Sequence, residues 1–213
     1  MAVADVLAAL QTLAPTALAS SVAKLGAEII RQLVTPALVS EPARSFTTRT
    51  DGGAHVVELV ADGASPSALR TLVVLLDFLA AHLLAASPIL AAALPPILAP
   101  AIQALTIEHA LTPALPDTLS TTALAIFQTR LDDALALEAA MERSDLLGDG
   151  GERAIRRWVE RAGEHWAERR AQVASKALRS LIVRMDWEAV VVDWREPAKR
   201  CVTLRASTLS CLA

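Results

Sequence analysis

The chain has 213 residues with a formal net charge of −3, and 54% of them are apolar, yet aromatics make up only 3% and tyrosine is absent. A pI near 5.8 offers nothing to attract nucleic acid. Two cysteines, Cys201 and Cys211, both near the C-terminal end, exclude a disulfide framework and predict a reduced, cytosolic protein.

Alanine and leucine supply the apolar bulk, which favours close-packed helices over a sheet. The length suffices for one core or two small domains, burying about 70% of the unfolded surface. Met1 to Ala14 carries Asp5 and no basic segment, so no signal peptide is expected. Residues 3 to 13 read as a short amphipathic helix stopped by Pro15. A second helix is expected from Thr16 to Val34, with Leu18, Val22, Leu25, Ile29 and Leu33 at core spacing, ended by Pro36 and Pro42. Ser45 to Thr50 and His55 to Ala61 alternate around Asp51-Gly52-Gly53 and predict a β-hairpin, which must pack on helices to persist.

Ser65 as cap with Pro66 at the first helical position opens a helix that runs to about Ala86. It is apolar nearly all round and is expected to be the central helix. No charged side chain lies between Asp77 and Glu108, a run that invites a membrane-spanning reading. Pro88, Pro95, Pro96 and Pro100 divide it into pieces too short to span, so a proline-jointed buried helix pair is expected instead. A helix from Ile97 to Leu111 is closed by Thr112-Pro113-Ala114-Leu115-Pro116.

Charge then concentrates: 29 of the charged residues lie from residue 128 onward. From Asp117, read as a cap, to Val190 the pattern predicts two long helices joined at Leu147-Gly148-Asp149-Gly150-Gly151. The first carries a stripe of Leu119, Ala123, Phe127, Leu131, Ala134, Leu137 and Met141. The second, reaching about 58 Å from Glu152 to Val190, carries Ile155, Val159, Ala162, Trp166, Val173, Ala177 and Leu181. Such a hairpin needs other elements against its seam. Domains are therefore placed at 1–116, at 117–190 and, as a poorly ordered tail, at 191–213.

The chemistry-bearing residues do not assemble by spacing. His55, His82, His109 and His165 lack partners at zinc-ligand intervals. Asp145, Asp149 and Glu152 do not recur as a calcium loop requires, and the glycine turn has no lysine to make a phosphate loop. No Gly-x-Ser-x-Gly elbow occurs. No catalytic residue, cofactor or metal is expected. One basic cluster remains: Arg153, Arg156, Arg157, Arg161, Arg169, Arg170, Lys176 and Arg179, interleaved with Glu152, Glu160, Glu164 and Glu168. A charge-laced solvated face is the plain reading. The functional one is a docking face for an acidic partner helix, carried by Arg153, Arg156, Arg157, Glu160 and Glu164.

Taken in order, these stretches resemble the middle part of the zeste-white-ten family of kinetochore and vesicle-tethering proteins. The likeness runs through Leu33-Val34-Thr35-Pro36, the hairpin followed by Ser65-Pro66-Ser67, Leu75-Leu76-Asp77-Phe78-Leu79, His82-Leu83-Leu84 and Leu111-Thr112-Pro113-Ala114-Leu115-Pro116. It continues from Leu135 to Val183 through Trp166-Ala167-Glu168-Arg169-Arg170 and Lys176-Ala177-Leu178-Arg179, so that it covers about residues 5 to 190. The resemblance implies a non-enzymatic subunit of a multisubunit tether. One such assembly captures Golgi-derived vesicles at the endoplasmic reticulum with SNARE proteins. Another recruits dynein and checkpoint proteins to kinetochores. The sequence thus predicts an all-α, elongated helical bundle with one small hairpin, cytoplasmic and attached to membranes only through partners. The alternative is a helical protein that binds a lipid surface, prompted by a mean hydropathy of +0.42.

Overall fold

The computed structural model describes residues 3–39, 44–51, 54–61, 67–118, 120–148 and 150–184. Among the described residues the fold is mostly helical with one two-stranded antiparallel hairpin, as the sequence predicts. Two compact units divide the chain, residues 1–170 and 171–213. The predicted boundary at 116 and 117 does not separate units, because α4 (Ala68–Leu79) and α7 (Thr121–Arg143), one on each side of it, pack together within the first.

Prolines punctuate the first unit less simply than the sequence predicts. Helix α1 (Val3–Leu13) is followed by α2 (Pro15–Ile29), with Pro15 at its first turn where a missing N–H costs nothing. Pro36 was expected to stop α2. Instead a π-helical turn over Ile30–Val34 precedes it, and the helix resumes as α3 (Thr35–Val39). A proline ring clashes with the carbonyl four residues back. The wider turn, in which the Thr35 N–H donates to Ile30 O, relieves that clash. Pro42 lies outside the described residues. Similar turns at Ala80–Leu84 and Ile107–Leu111 precede Pro88 and Pro113, and there the helices do end.

Strands β1 (Arg44–Asp51) and β2 (Ala54–Ala61) pair in the register Ser45 to Val60 and Thr50 to His55. Phe46 is the side chain this hairpin buries, with Val57 and Leu59 packed against the same core, and Thr71 of α4 donates to Arg44 O at 3.3 Å. Helix α4 begins at Ala68 after Ser67, and Ser65 and Pro66 lie outside the described residues. It buries Leu69, Leu72, Leu75, Leu76 and Leu79, a full face at helical spacing. Each such leucine contributes about 2–3 kcal/mol relative to exposure.

Helices α5 (Pro88–Ala93) and α6 (Pro95–Thr106) are the proline-jointed pair. The Ser87 hydroxyl accepts from Leu90 N–H to start α5, and Pro95 and Pro96 occupy the first turn of α6, where free N–H groups are tolerated. Among the described residues no helix is long and apolar enough to cross a membrane. Gly26 of α2 lies so near α6 that a β-carbon there would sit 2.9 Å from Ile97 Cγ2.

Helix α7 is capped by Ser120, whose hydroxyl accepts from Ala123 N–H at 3.2 Å, rather than by Asp117 as the sequence suggests. Leu119 lies outside the described residues. The remaining stripe faces inward, with Leu131, Ala134, Leu137 and Met141 buried. Arg70 of α4 ties to buried Asp133 at 2.7 Å, and Arg130 donates to Ser67 Oγ at 3.3 Å. The second predicted helix is broken: α8 (Ala154–Glu160) and α9 (Ala162–Arg184) meet at Arg161, whose φ of −100° and ψ of 12° leave the helical region. The described part of the second unit is the α9 segment from Ala171 to Arg184, and Val173 and Ala177, predicted to extend the apolar seam, are exposed in it. The tail predicted after Val190 lies outside the described residues.

Candidate interaction site at the junction of α6, α7 and α8

The end of α7 is set before the glycines. Asp145 adopts φ of 54°, Leu146 N–H donates to Met141 O at 3.0 Å and Asp145 N–H to Glu142 O at 3.1 Å. This is a Schellman stop, with buried Leu146 covering Met141's turn. Aspartate tolerates the left-handed region better than most side chains, which lets it hold the position usually given to glycine. The glycines then shape the return, through a 2.8 Å bond from Gly151 N–H to Gly148 O and a φ of 92° at Gly150.

Helix α8 has no side-chain cap of its own. Its free N–H groups are satisfied from two other helices. Gln103 of α6, only 3% exposed, accepts from Ala154 N–H at 2.7 Å and donates to Glu152 O at 2.8 Å. Glu138 of α7, fully buried, accepts from Arg156 N–H at 3.1 Å. A carboxylate at a helix N-terminus is favoured both by the hydrogen bond and by the helix dipole. Charges complete the lock: Arg153 Nε lies 2.8 Å from Glu142 Oε1, and Arg156 Nε lies 3.4 Å from Glu138 Oε2. Neither Glu138 Oε2 nor Glu142 Oε1 receives an aligned hydrogen bond, so these contacts are Coulombic.

The basic residues singled out for an acidic partner are engaged with the chain's own acids. Arg153 and Arg156 turn towards Glu142 and Glu138, and Arg157 pairs with Glu152 at 2.7 Å. Glu164 pairs with Arg161 at 2.7 Å, which raises the Arg161 guanidinium further above its ordinary range, while Glu160 is exposed. Farther along, Trp166 Nε1 donates to Pro116 O at 2.8 Å. Arg169 reaches Thr112 O and the Asp117 carboxylate, each at 3.0 Å. α9 thus takes up the Thr112 carbonyl at the helix end and the Pro116 carbonyl of the loop that follows it.

Beside this junction lies a groove of about 610 Å³, lined by Ala92, Pro95, Pro96, Ala99, Pro100 and Ile107 on one side and by Leu146, Leu147 and the glycine turn on the other. A second groove, about 540 Å³, flanks α5 through Ala92 and is lined by Pro15, Leu18, Val22 and Ile89. Among the described residues no three His, Cys, Asp or Glu side chains come together as a metal-ion site. Sequence reasoning missed Gln103, Glu138 and Glu142. The signal was present for Glu138, since 131, 134, 138 and 141 follow the inward spacing of three and four. No known protein family, curated protein or solved structure matches the chain.

Proposed function

We propose that the chain is a non-enzymatic helical interaction module, working as a subunit of a multisubunit tether of the zeste-white-ten type. The observation that carries this reading is the junction itself. Gln103 of α6, Glu138 and Glu142 of α7, and Arg153 and Arg156 at the start of α8 are spent on fixing α8, and what they hold towards solvent is an apolar groove. Rigid elements that present a groove with few polar groups suit docking. The order of motifs along the chain adds the assembly: vesicle capture at the endoplasmic reticulum with SNARE proteins, or recruitment of dynein and checkpoint proteins at kinetochores. Membrane attachment would be peripheral and through partners.

The test is co-purification of the full chain from cells at native salt, read by mass spectrometry. Recovery of tether subunits, SNAREs or kinetochore subunits supports the proposal, and recovery of none overturns it. Liposome flotation separates the lipid-binding alternative, because interfacial helices carry Lys and Arg beside the apolar face and this groove is lined by none.

A further inference from the structure

The groove between α5, α6 and the turn after α7 is lined mainly by alanine, proline and leucine. Its charged lining residues are Asp145 and Glu152. Glu152 is neutralised by Arg157 at 2.7 Å. Asp145 makes no side-chain hydrogen bond or ion pair among the described residues, and its carboxylate is held at the rim by the left-handed turn that ends α7. The deep polar side chain, Gln103, has both ends of its amide engaged with Ala154 N–H and Glu152 O.

We propose that this groove receives one apolar helix of a partner protein, with a Lys or Arg at one end of its buried face placed opposite Asp145. The inference rests on the interaction-module reading above. Three features select this occupant. No strand edge lines the groove, so an extended peptide has no ladder to join and leaves its main-chain N–H and C=O groups short of partners; a helix satisfies its own. The volume of about 610 Å³ lies within the roughly 300–1,000 Å³ of pockets that take a few anchoring side chains. Asp145, exposed and unpaired at a rim whose other acid, Glu152, is already matched by Arg157, attracts a cation and repels the anionic headgroups of a lipid surface.

A library of 18-residue helices displayed on phage tests this directly, selected against the full chain and counter-selected against Ala104→Arg. Ala104 lines the groove and is exposed, so the substitution blocks it without entering the core. The expected clones carry apolar residues at i, i+3 or i+4 and i+7 with a Lys or Arg at one end. Synthesised, they lose about tenfold or more in affinity on Ala104→Arg and about fivefold on Asp145→Asn, a substitution that keeps the left-handed turn. Clones with no basic preference, binding unaltered by Ala104→Arg, or no enrichment would overturn the proposal. So would flotation with phosphatidylserine vesicles that Ala104→Arg abolishes, which assigns the groove to lipid. Tether subunits that co-purify equally with the Ala104→Arg chain would sink the groove and leave the assembly standing, whereas selected helices without any co-purified tether would do the reverse.

Discussion

Replacing Glu138 by alanine removes a carboxylate that does three things at once. It accepts the Arg156 N–H at 3.1 Å and so caps α8 from a different helix, which is worth about 1 kcal/mol. It fills a site with no exposure at all, and truncation there leaves a cavity costing about 1–2 kcal/mol. It also faces Arg156 Nε at 3.4 Å, but that side chain is 42% exposed and turns to water when unpaired, so the ionic loss is only about 0.5 kcal/mol. Together these give about 3 kcal/mol. For a unit of this size that lowers the melting temperature by about 6–12 °C. Glu138→Gln keeps the volume and the accepting oxygen, and should cost about 1 kcal/mol. Thermal unfolding followed by circular dichroism measures both, and amide hydrogen exchange at Ile155 and Arg156 reports opening of the α8 start. Equal losses for the two variants, or Glu138→Ala within about 0.5 kcal/mol of the parent chain, would refute the trans-capping account.

Gln103→Leu should cost about 2 kcal/mol, because two part-buried hydrogen bonds, to Glu152 O and from the first N–H of α8, are lost, and proteolysis within residues 148–154 should accelerate. Gly26→Ala should destabilise by about 1–2 kcal/mol despite the better helix propensity of alanine. Its cost should shrink when Ile97, 2.9 Å from the new β-carbon, is also cut to alanine; additive effects in that double-mutant cycle would show that the helices do not meet there. Arg31 and then Gln32 hold the Glu28 carboxyl down to about 2 from an ordinary 4.5. Since the folded value is the lower one, the stabilisation is complete above about pH 4.5 and lost as pH falls towards 2; acid melts of Glu28→Gln should lack that part, and added salt should weaken it because the pair is exposed. Trp166→Phe should cost about 1 kcal/mol by freeing Pro116 O, with little change in the melting of α4.

The hairpin was legible because Asp51-Gly52-Gly53 sits between alternating runs, and the Schellman stop, the break at Arg161 and the continuation through Pro36 were not. Each of those three is decided by something a linear pattern hides. Asp145 takes a left-handed conformation three residues before the first loop glycine. A π-helical turn lets the chain carry a proline that would end an α-helix. At Arg161 the bend places the Trp158 and His165 rings in a stack 5.0 Å apart. The partners of the charged residues were hidden for a related reason. Arginines written along a helix look like a face for a partner, and only the fold reveals that Glu138 and Glu142 lie beneath them. The groove has no sequence signature, since its walls come from α5, α6 and a turn some 40 residues away.

The most direct measurement places a photo-crosslinking amino acid at Ala104 of the full chain in cells, with Gln128 on the exposed face of α7 as control, and identifies the adducts by mass spectrometry. The account predicts that Ala104 captures a helix of a tether or kinetochore subunit and that Gln128 does not. Capture of lipid alone, of the same proteins from both positions, or of nothing from Ala104 would contradict it.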